Sequence, residues 1–328
     1  MEPRDRSPHR RDVLTATLAA AAFAQSASPS RAIEPASEIV IERPAKGTPH
    51  KGKVLLAVQA HSDDIPLMAS GIVAKLVREG YTGHLLRAAN DDMGDAPGLG
   101  TPGTVGEHVL RNEQDNAAVA RALGLKKVFD FNYNNHRMGD VSLNELIGRL
   151  IFLIRHLKVD TVVSWDPWGH YEENPDHEKI ARAVEAACWM AGRKHDFPEH
   201  LDAGLMPYDV KERYYYARHP GANRIVDVSE VLEQMIECNR ANLAKGPAGN
   251  NGSRLKAELA KKGLKLPLLG DNDETADRNY IKMFILSGRQ ILGKKHGLEY
   301  AEAVHYLQSG SPSAAVDDYV KKNAVPLQ

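Results

Sequence analysis

The chain has 328 residues, 42% hydrophobic and 26% charged, with a formal net charge of −1 at pH 7. This is the composition of a globular protein, not of a disordered or collagenous one, and the near-neutral balance argues against the strongly basic surface that grips nucleic acid. Its two cysteines, Cys188 and Cys238, stand far apart, which excludes a zinc ribbon or a CxxC redox pair and leaves His, Asp and Glu as the metal-binding vocabulary.

The chain opens with Arg4, Arg6, Arg10 and Arg11, followed by the apolar run Val13–Ala24. That run falls short of the ~20 residues that span a bilayer. Ala22-Phe23-Ala24 supplies a small-x-small cleavage site, and adjacent Arg10-Arg11 gives the start a twin-arginine character. Residues 1–24 are expected to be an export signal to the periplasm or exterior, and residues 25–50 a Ser/Pro/Ala-rich linker. Residues 51–310 should form one domain, with 311–328 as a tail. No later apolar run approaches membrane-span length.

From residue 53 the pattern alternates strand and helix. Lys53–Ala60 is a continuous apolar strand. Ile65–Glu79 has helical spacing, with Leu67, Ile72, Leu76 and Val77 on one side. His84–Asn90 is a strand, 94–106 a Gly/Pro loop, Glu107–Leu123 a helix and Lys127–Phe131 a third strand. Leu143–Leu157 is a helix, Thr161–Trp165 a fourth strand and Asp176–Ala191 a further helix. Beyond Gly192 come short strands at Arg213–Arg218 and Arg224–Val228, the former carrying Tyr214-Tyr215-Tyr216, which reads as a strand packing one face. Helices follow at Val231–Ala244 and Thr275–His296, with a Gly/Asn-rich loop at Lys245–Ser253 and a basic, loosely amphipathic stretch at Arg254–Lys265. The alternation predicts an α/β fold, a Rossmann-like three-layer sandwich with a mostly parallel sheet. No glycine-rich nucleotide-binding motif follows a predicted strand.

In such sheets ligands bind beyond the carboxyl ends of the strands. The first strand ends in His61-Ser62-Asp63-Asp64. Helix capping by Ser62 or Asp63 would need one of these polar groups, not a histidine and two aspartates. The fourth strand ends in Trp165-Asp166-Pro167-Trp168-Gly169-His170-Tyr171 and leads to Asn174-Pro175-Asp176-His177, where Pro175 suits the first helical position. A His and an Asp from one strand end thus come within reach of a His from another. Two His and one Asp with one open position make an ordinary hydrolytic zinc site.

Ala60-His61-Ser62-Asp63-Asp64 resembles the AHPDD motif of the PIG-L/LmbE-like deacetylases, and Asn174-Pro175-Asp176-His177 resembles their HPDH motif. Arg111-Asn112-Glu113 and Tyr300-Ala301-Glu302 resemble further family segments, so the likeness runs over roughly residues 50–305. The resemblance implies a zinc-dependent N-deacetylase of amino sugars, with Fe2+ as an alternative metal. It implies His61, Asp64 and His177 as metal ligands and Asp63 as general base, with Asn174 and Asp176 completing the catalytic set. Arg111, Asp92, His136, His170 and Tyr171 are the candidate substrate-binding residues; for Arg111 a helix-surface ion pair with Glu107 or Asp115 is the alternative. Asp91, Asp92 and Asp95 either line the site or form a solvated turn.

Three positions depart from the family pattern: Ser62 stands for Pro, Ile65 for Glu and Asn174 for the first His of HPDH. Asn174 can donate a hydrogen bond to an oxyanion but cannot carry a proton. This motivates one alternative, a carbohydrate-binding protein without catalysis on the same scaffold. The expected partner is a small-molecule or glycan substrate bearing an N-acetylated amino sugar, with no nucleic acid.

Overall fold

A computed structural model of the chain describes residues 39–93, 103–169, 172–216, 221–309 and 312–326, and within it the chain from Ile39 onward is one unit. The expected signal at 1–24 lies outside the described residues. In chain order the strands are β1 (Val40–Glu42), β2 (Val54–Gln59), β3 (Thr82–Ala89), β4 (Val128–Tyr133), β5 (Thr161–Trp165), β6 (Glu212–Tyr216), β7 (Arg224–Asp227) and β8 (Ala301–Gln308). The helices are α1 (Asp64–Met68), α2 (Ser70–Arg78), α3 (Val105–Ala122), α4 (Leu143–Leu157), α5 (Pro175–Met190), α6 (Glu199–Asp202), α7 (Leu232–Ala241), α8 (Asn251–Lys261), α9 (Asp273–Tyr280), α10 (Ser287–Lys295) and α11 (Pro312–Asn323).

Among the described residues the strands form one sheet in the order β1-β7-β8-β6-β5-β2-β3-β4. From β6 to β4 every pairing is parallel, and β8 runs antiparallel between β6 and β7. This is the expected α/β fold with a mostly parallel sheet. β2 lies at the centre of the parallel run β6-β5-β2-β3-β4, which is why Val54–Val58 are apolar without alternation and nearly all buried. The chain passes from β2 outward to β3 and β4, then returns to place β5 on the other side of β2. The carboxyl ends of β2 and β5 therefore flank the point where strand order reverses, the position where such sheets open a crevice.

Several local differences from the sequence expectation have visible causes. The stretch read as linker contains a strand, since Val40–Glu42 pairs in parallel with β7 at the sheet edge. The helix expected over Ile65–Glu79 is two helices, broken at Ala69 (φ −146°, ψ 17°). There the buried Glu302 carboxylate, arriving on β8, accepts the amides of Gly71 and Ile72 at 3.1 and 2.8 Å and gives α2 its own start. The long C-terminal helix is also interrupted, by a π-helical turn at Ile281–Ile285. The expected tail carries α11. Cys188 and Cys238 are both buried and free. No described helix is long and apolar enough to cross a membrane.

A candidate metal centre at the reversal of strand order

α1 follows β2 directly, so the turn at 61–64 sits at the crevice with almost no slack. Asp64 turns back on its own strand end: Ala60 N–H and His61 N–H donate to its Oδ2 at 2.8 and 2.9 Å. Trp165, at the end of β5, donates its indole Nε1–H to the same oxygen at 2.8 Å. With Oδ2 satisfied three times, Oδ1 is left to face the crevice. It lies 3.3 Å from His177 Nε2 and 4.0 Å from His61 Nδ1, and the two ring nitrogens are 2.9 Å apart. The ligand atoms of a tetrahedral ion with bonds of about 2.0–2.1 Å stand about 3.3–3.4 Å from one another. The donor set His61, Asp64 and His177 thus fits a divalent metal in spacing and in chemistry.

Both histidines are oriented from behind by carboxylates. His61 Nε2 meets Asp176 Oδ2 at 3.1 Å, and His177 Nδ1 meets Glu172 Oε1 at 3.0 Å. Each carboxylate holds the far N–H and turns the other nitrogen's lone pair to the centre. Asp176 is fully buried and also accepts the amides of His136 and Met138 at 2.7 and 3.1 Å. Its place is behind His61, not at the open face expected of a catalytic group. The His177 ring stacks on Trp165 with centroids 4.0 Å apart. Burial pulls the His177 imidazole down, but Asp64 and Glu172 outweigh it and raise its pKa to about 9. Burial likewise pushes Asp64 up, and the facing His177 and His61, with the Trp165 bond, carry it below the ordinary carboxylate range.

Asp63 is half-buried beside this trio. Burial, reinforced by neighbouring Asp64 and Asp91 and opposed by Lys245 and His61, raises its carboxyl to about 6. That suits a group that takes and returns a proton near neutral pH. Below the turn a buried polar network holds it in place. Ser62 donates both its amide, at 3.0 Å, and its hydroxyl to Asp91 Oδ2, a double contact that the proline of the family motif has neither group to make. Arg87, fully buried, pairs with Asp130 at 2.6 Å and reaches Asp91 at 3.5 Å. Asn116 and Gln59 complete the network, and Gln59 Oε1 accepts the Ile65 amide. Asp91 is thus a buried anchor, not a solvated turn residue.

The remaining candidates fall in different places. Asn174 is the N-cap of α5, its Oδ1 accepting the Asp176 amide at 3.0 Å. Asp92 accepts the Asn134 side-chain amide and the Asn135 backbone amide at 2.6 and 2.8 Å, tethering the loop that carries His136. His136 is exposed with φ +58°, its ring 5.9 Å edge-on from that of His61, so it stands at the mouth. Arg111 lies on α3 close to Gly103 and Glu107. The Asp115 carboxylate on the same helix accepts the amides of Leu243 and Ala244. His170, Tyr171 and Asp95 lie outside the described residues. Sequence reasoning assigned no role to Trp165, Glu172, Arg87, Asn116 or Lys245. Trp165 and Glu172 had a signal, their place in the same strand-end segment as His177; the others touch the site only through tertiary packing.

A mostly parallel sheet thus brings two histidines and an aspartate together at its reversal point, with a second aspartate beside them, a donor set that could hold a metal ion on an α/β scaffold. Residues 56–188 match the family profile described as PIG-L, GlcNAc-PI de-N-acetylase. The chain is 28% identical over 201 residues to the diacetylchitobiose deacetylase of Thermococcus kodakarensis, covering 60% of this chain and 71% of that one. It is 27% identical over 181 residues to the 1D-myo-inositol 2-acetamido-2-deoxy-alpha-D-glucopyranoside deacetylase of Rhodococcus opacus, covering 49% of this chain and 60% of that one. In fold it resembles the N,N'-diacetylchitobiose deacetylase of Pyrococcus horikoshii, with a TM-score of 0.61 and 20% identity over 80% of this chain and 88% of that one. Over residues 56–188 the chain is thus similar to the PIG-L/LmbE-like deacetylases.

Proposed function

We infer that this protein is an exported, zinc-dependent hydrolase that removes the N-acetyl group from an amino sugar or its conjugate. The observation that carries this reading is the Asp63 carboxylate standing beside a donor trio whose spacing fits a metal. Relatives named as deacetylases of acetylated sugars support the substrate class. The Arg10-Arg11 start and the apolar run after it support export.

His61, Asp64 and His177 would hold the ion, which when bound makes water a competent nucleophile near neutral pH and polarises the acyl carbonyl. Asp176 and Glu172 fix which nitrogen of each imidazole faces inward. Asp63 takes the proton of the attacking water and returns it to the departing amine, so that the C–N bond breaks with the amine neutral. Asn174 is engaged through Oδ1 as a cap, which leaves its Nδ2–H2 as the only group with which it can serve a developing oxyanion. The binding-only alternative gains no support from the relatives or from the site.

The test is an amine-release screen over N-acetylglucosamine, its β-linked oligomers and its inositol glycoside, using zinc-loaded protein of measured metal content. Stoichiometric zinc with free-amine production on at least one substrate is expected. Stoichiometric metal without amine release across the panel would overturn the deacetylase reading. Cell fractionation with and without Arg10→Lys/Arg11→Lys tests export: cytosolic retention of the variant is expected, and unchanged distribution would overturn the twin-arginine route.

A further inference from the structure

The segment between α7 and α8 is bound to the metal-site turn along its length. Asn242 Nδ2–H donates to the Ser62 carbonyl at 3.3 Å. The amides of Leu243 and Ala244 donate to the buried Asp115 carboxylate on α3 at 2.7 and 2.5 Å. Lys245 Nζ donates to Asp91, which is itself held by Ser62. Gly246 then closes against Asp63: a Cβ on Gly246 would stand 3.0 Å from both Cβ and Oδ2 of Asp63. Its φ of +85° belongs to the left-handed region that glycine enters without penalty. These contacts come from three separate elements, and they end on the one acidic side chain of the turn that makes no bond to its own backbone.

We propose that the strap Asn242–Gly246 positions the Asp63 carboxylate, Lys245 supplying the cation that lets Asp63 stand beside Asp64 and Asp91, and Gly246 setting the space in which it stands. The proposal rests on Asp63 being the proton-transfer group. Three carboxylates share this corner, and a cation placed among them offsets the repulsion that disfavours their charged forms. Lys245 is largely buried, its charge aimed into the corner and not into solvent. A methyl at Gly246 would displace Asp63 with no change in charge, so the two halves of the strap are separable.

The experiment compares wild type, Lys245→Met, the charge-balanced pair Asp91→Asn/Lys245→Met and Gly246→Ala, all zinc-loaded. It reads kcat and KM separately, zinc per chain and Tm. Lys245→Met and the balanced pair are both expected to lose roughly 10- to 100-fold in kcat, with KM and zinc content near wild type. The pair tests the alternative that Lys245 merely neutralises Asp91, because it removes both charges and keeps the fold's internal balance. Recovery of wild-type kcat in the pair would overturn the proposal, as would loss of zinc in step with loss of kcat. Gly246→Ala is expected to lower kcat with zinc retained; wild-type kcat in that variant would overturn the role of Gly246. A wild-type protein without amine release overturns the deacetylase reading itself, whereas an active wild type with an equally active Lys245→Met overturns the strap alone.

Discussion

The two strand ends that build the site are made on different principles. The β2 end is short and buried: His61, Ser62 and Asp64 are almost inaccessible, and the chain enters α1 at once. Backbone amides, Trp165, Asp91 and the Arg87–Asn116–Gln59 network leave the turn no freedom. The β5 end is long: a stretch from Asp166 to Asn174 separates the strand from α5, and it brings a single ligand, His177, held by a partly exposed Glu172. His61, Asp63 and Asp64 thus come from the rigid arm, while the longer arm delivers His177. A site so divided can vary its rim without moving Asp63 relative to Asp64.

If the rigid arm carries the chemistry, its central side chain should matter most. Asp63→Asn keeps the size and removes the base. We expect kcat to fall by roughly 10²- to 10⁴-fold with zinc content unchanged. Full activity in a metal-replete variant would assign proton transfer elsewhere.

The arms also differ in what holds them when no metal is bound. His177 is raised to about 9 by Asp64 and Glu172, so its protonated form bridges the arms through charge. A raised histidine pKa stabilises the fold fully below the unfolded value near 6.5 and loses that contribution as pH climbs through about 9. Chelated protein should therefore lose on the order of 3 kcal/mol of stability between these limits, and His177→Gln should flatten that slope. Denaturant titrations at pH 6, 7.5 and 9.5 check it; parallel curves for the two proteins would refute the bridge.

The rigid arm was the more legible in sequence for the same reason that it is rigid. A fully buried central strand writes an unbroken apolar run, and the polar groups that end it at His61 stand out against that run. The paired motifs point to His61, Asp64 and His177, which the fold brings together, because each sits in a short local segment at a strand end or helix start. What escaped were groups whose roles come from distant chain: Glu302 capping α2 from β8, Asp115 gripping the strap, Lys245 entering between acids. No periodicity marks them, because each is one polar residue in an ordinary helix, strand or loop. Ser62, where the family motif has proline, takes its role from the same distance in sequence, through its amide and hydroxyl on Asp91. β1 is three residues at the sheet edge, too short to write a pattern, and β8 mixes apolar and polar residues without a clean alternation.

The carboxylates behind the two histidines sharpen the contrast further. Asp176 is buried and accepts three donors, whereas Glu172 is partly exposed and accepts from His177 and the Asn174 amide. Removing such a partner typically weakens metal affinity by about 10–100-fold. Asp176→Ala should fall near the upper end of that range and Glu172→Ala near the lower, measured by competition with a chelator of known zinc affinity. Equal losses would show that the arms hold their ligands equally well.

The smallest effect concerns Asn174, where capping and chemistry can be pulled apart. Its Oδ1 satisfies the Asp176 amide at the start of α5, a bond whose loss on Asn174→Ala should cost about 1 kcal/mol of stability. Asn174→Asp keeps an acceptor at the cap and removes the Nδ2–H2 donor. If Asn174 serves only the helix, the Asp variant keeps wild-type stability and kcat. If its amide also faces the developing oxyanion, kcat falls in both variants while stability falls only in the Ala variant. We expect the second pattern, with a loss in kcat of roughly 10-fold, smaller than for a fully preorganised oxyanion donor because the side chain already spends one end on the cap. A melting curve and a kcat for each variant decide it, and unchanged kcat in Asn174→Asp would confine this residue to the longer arm's architecture.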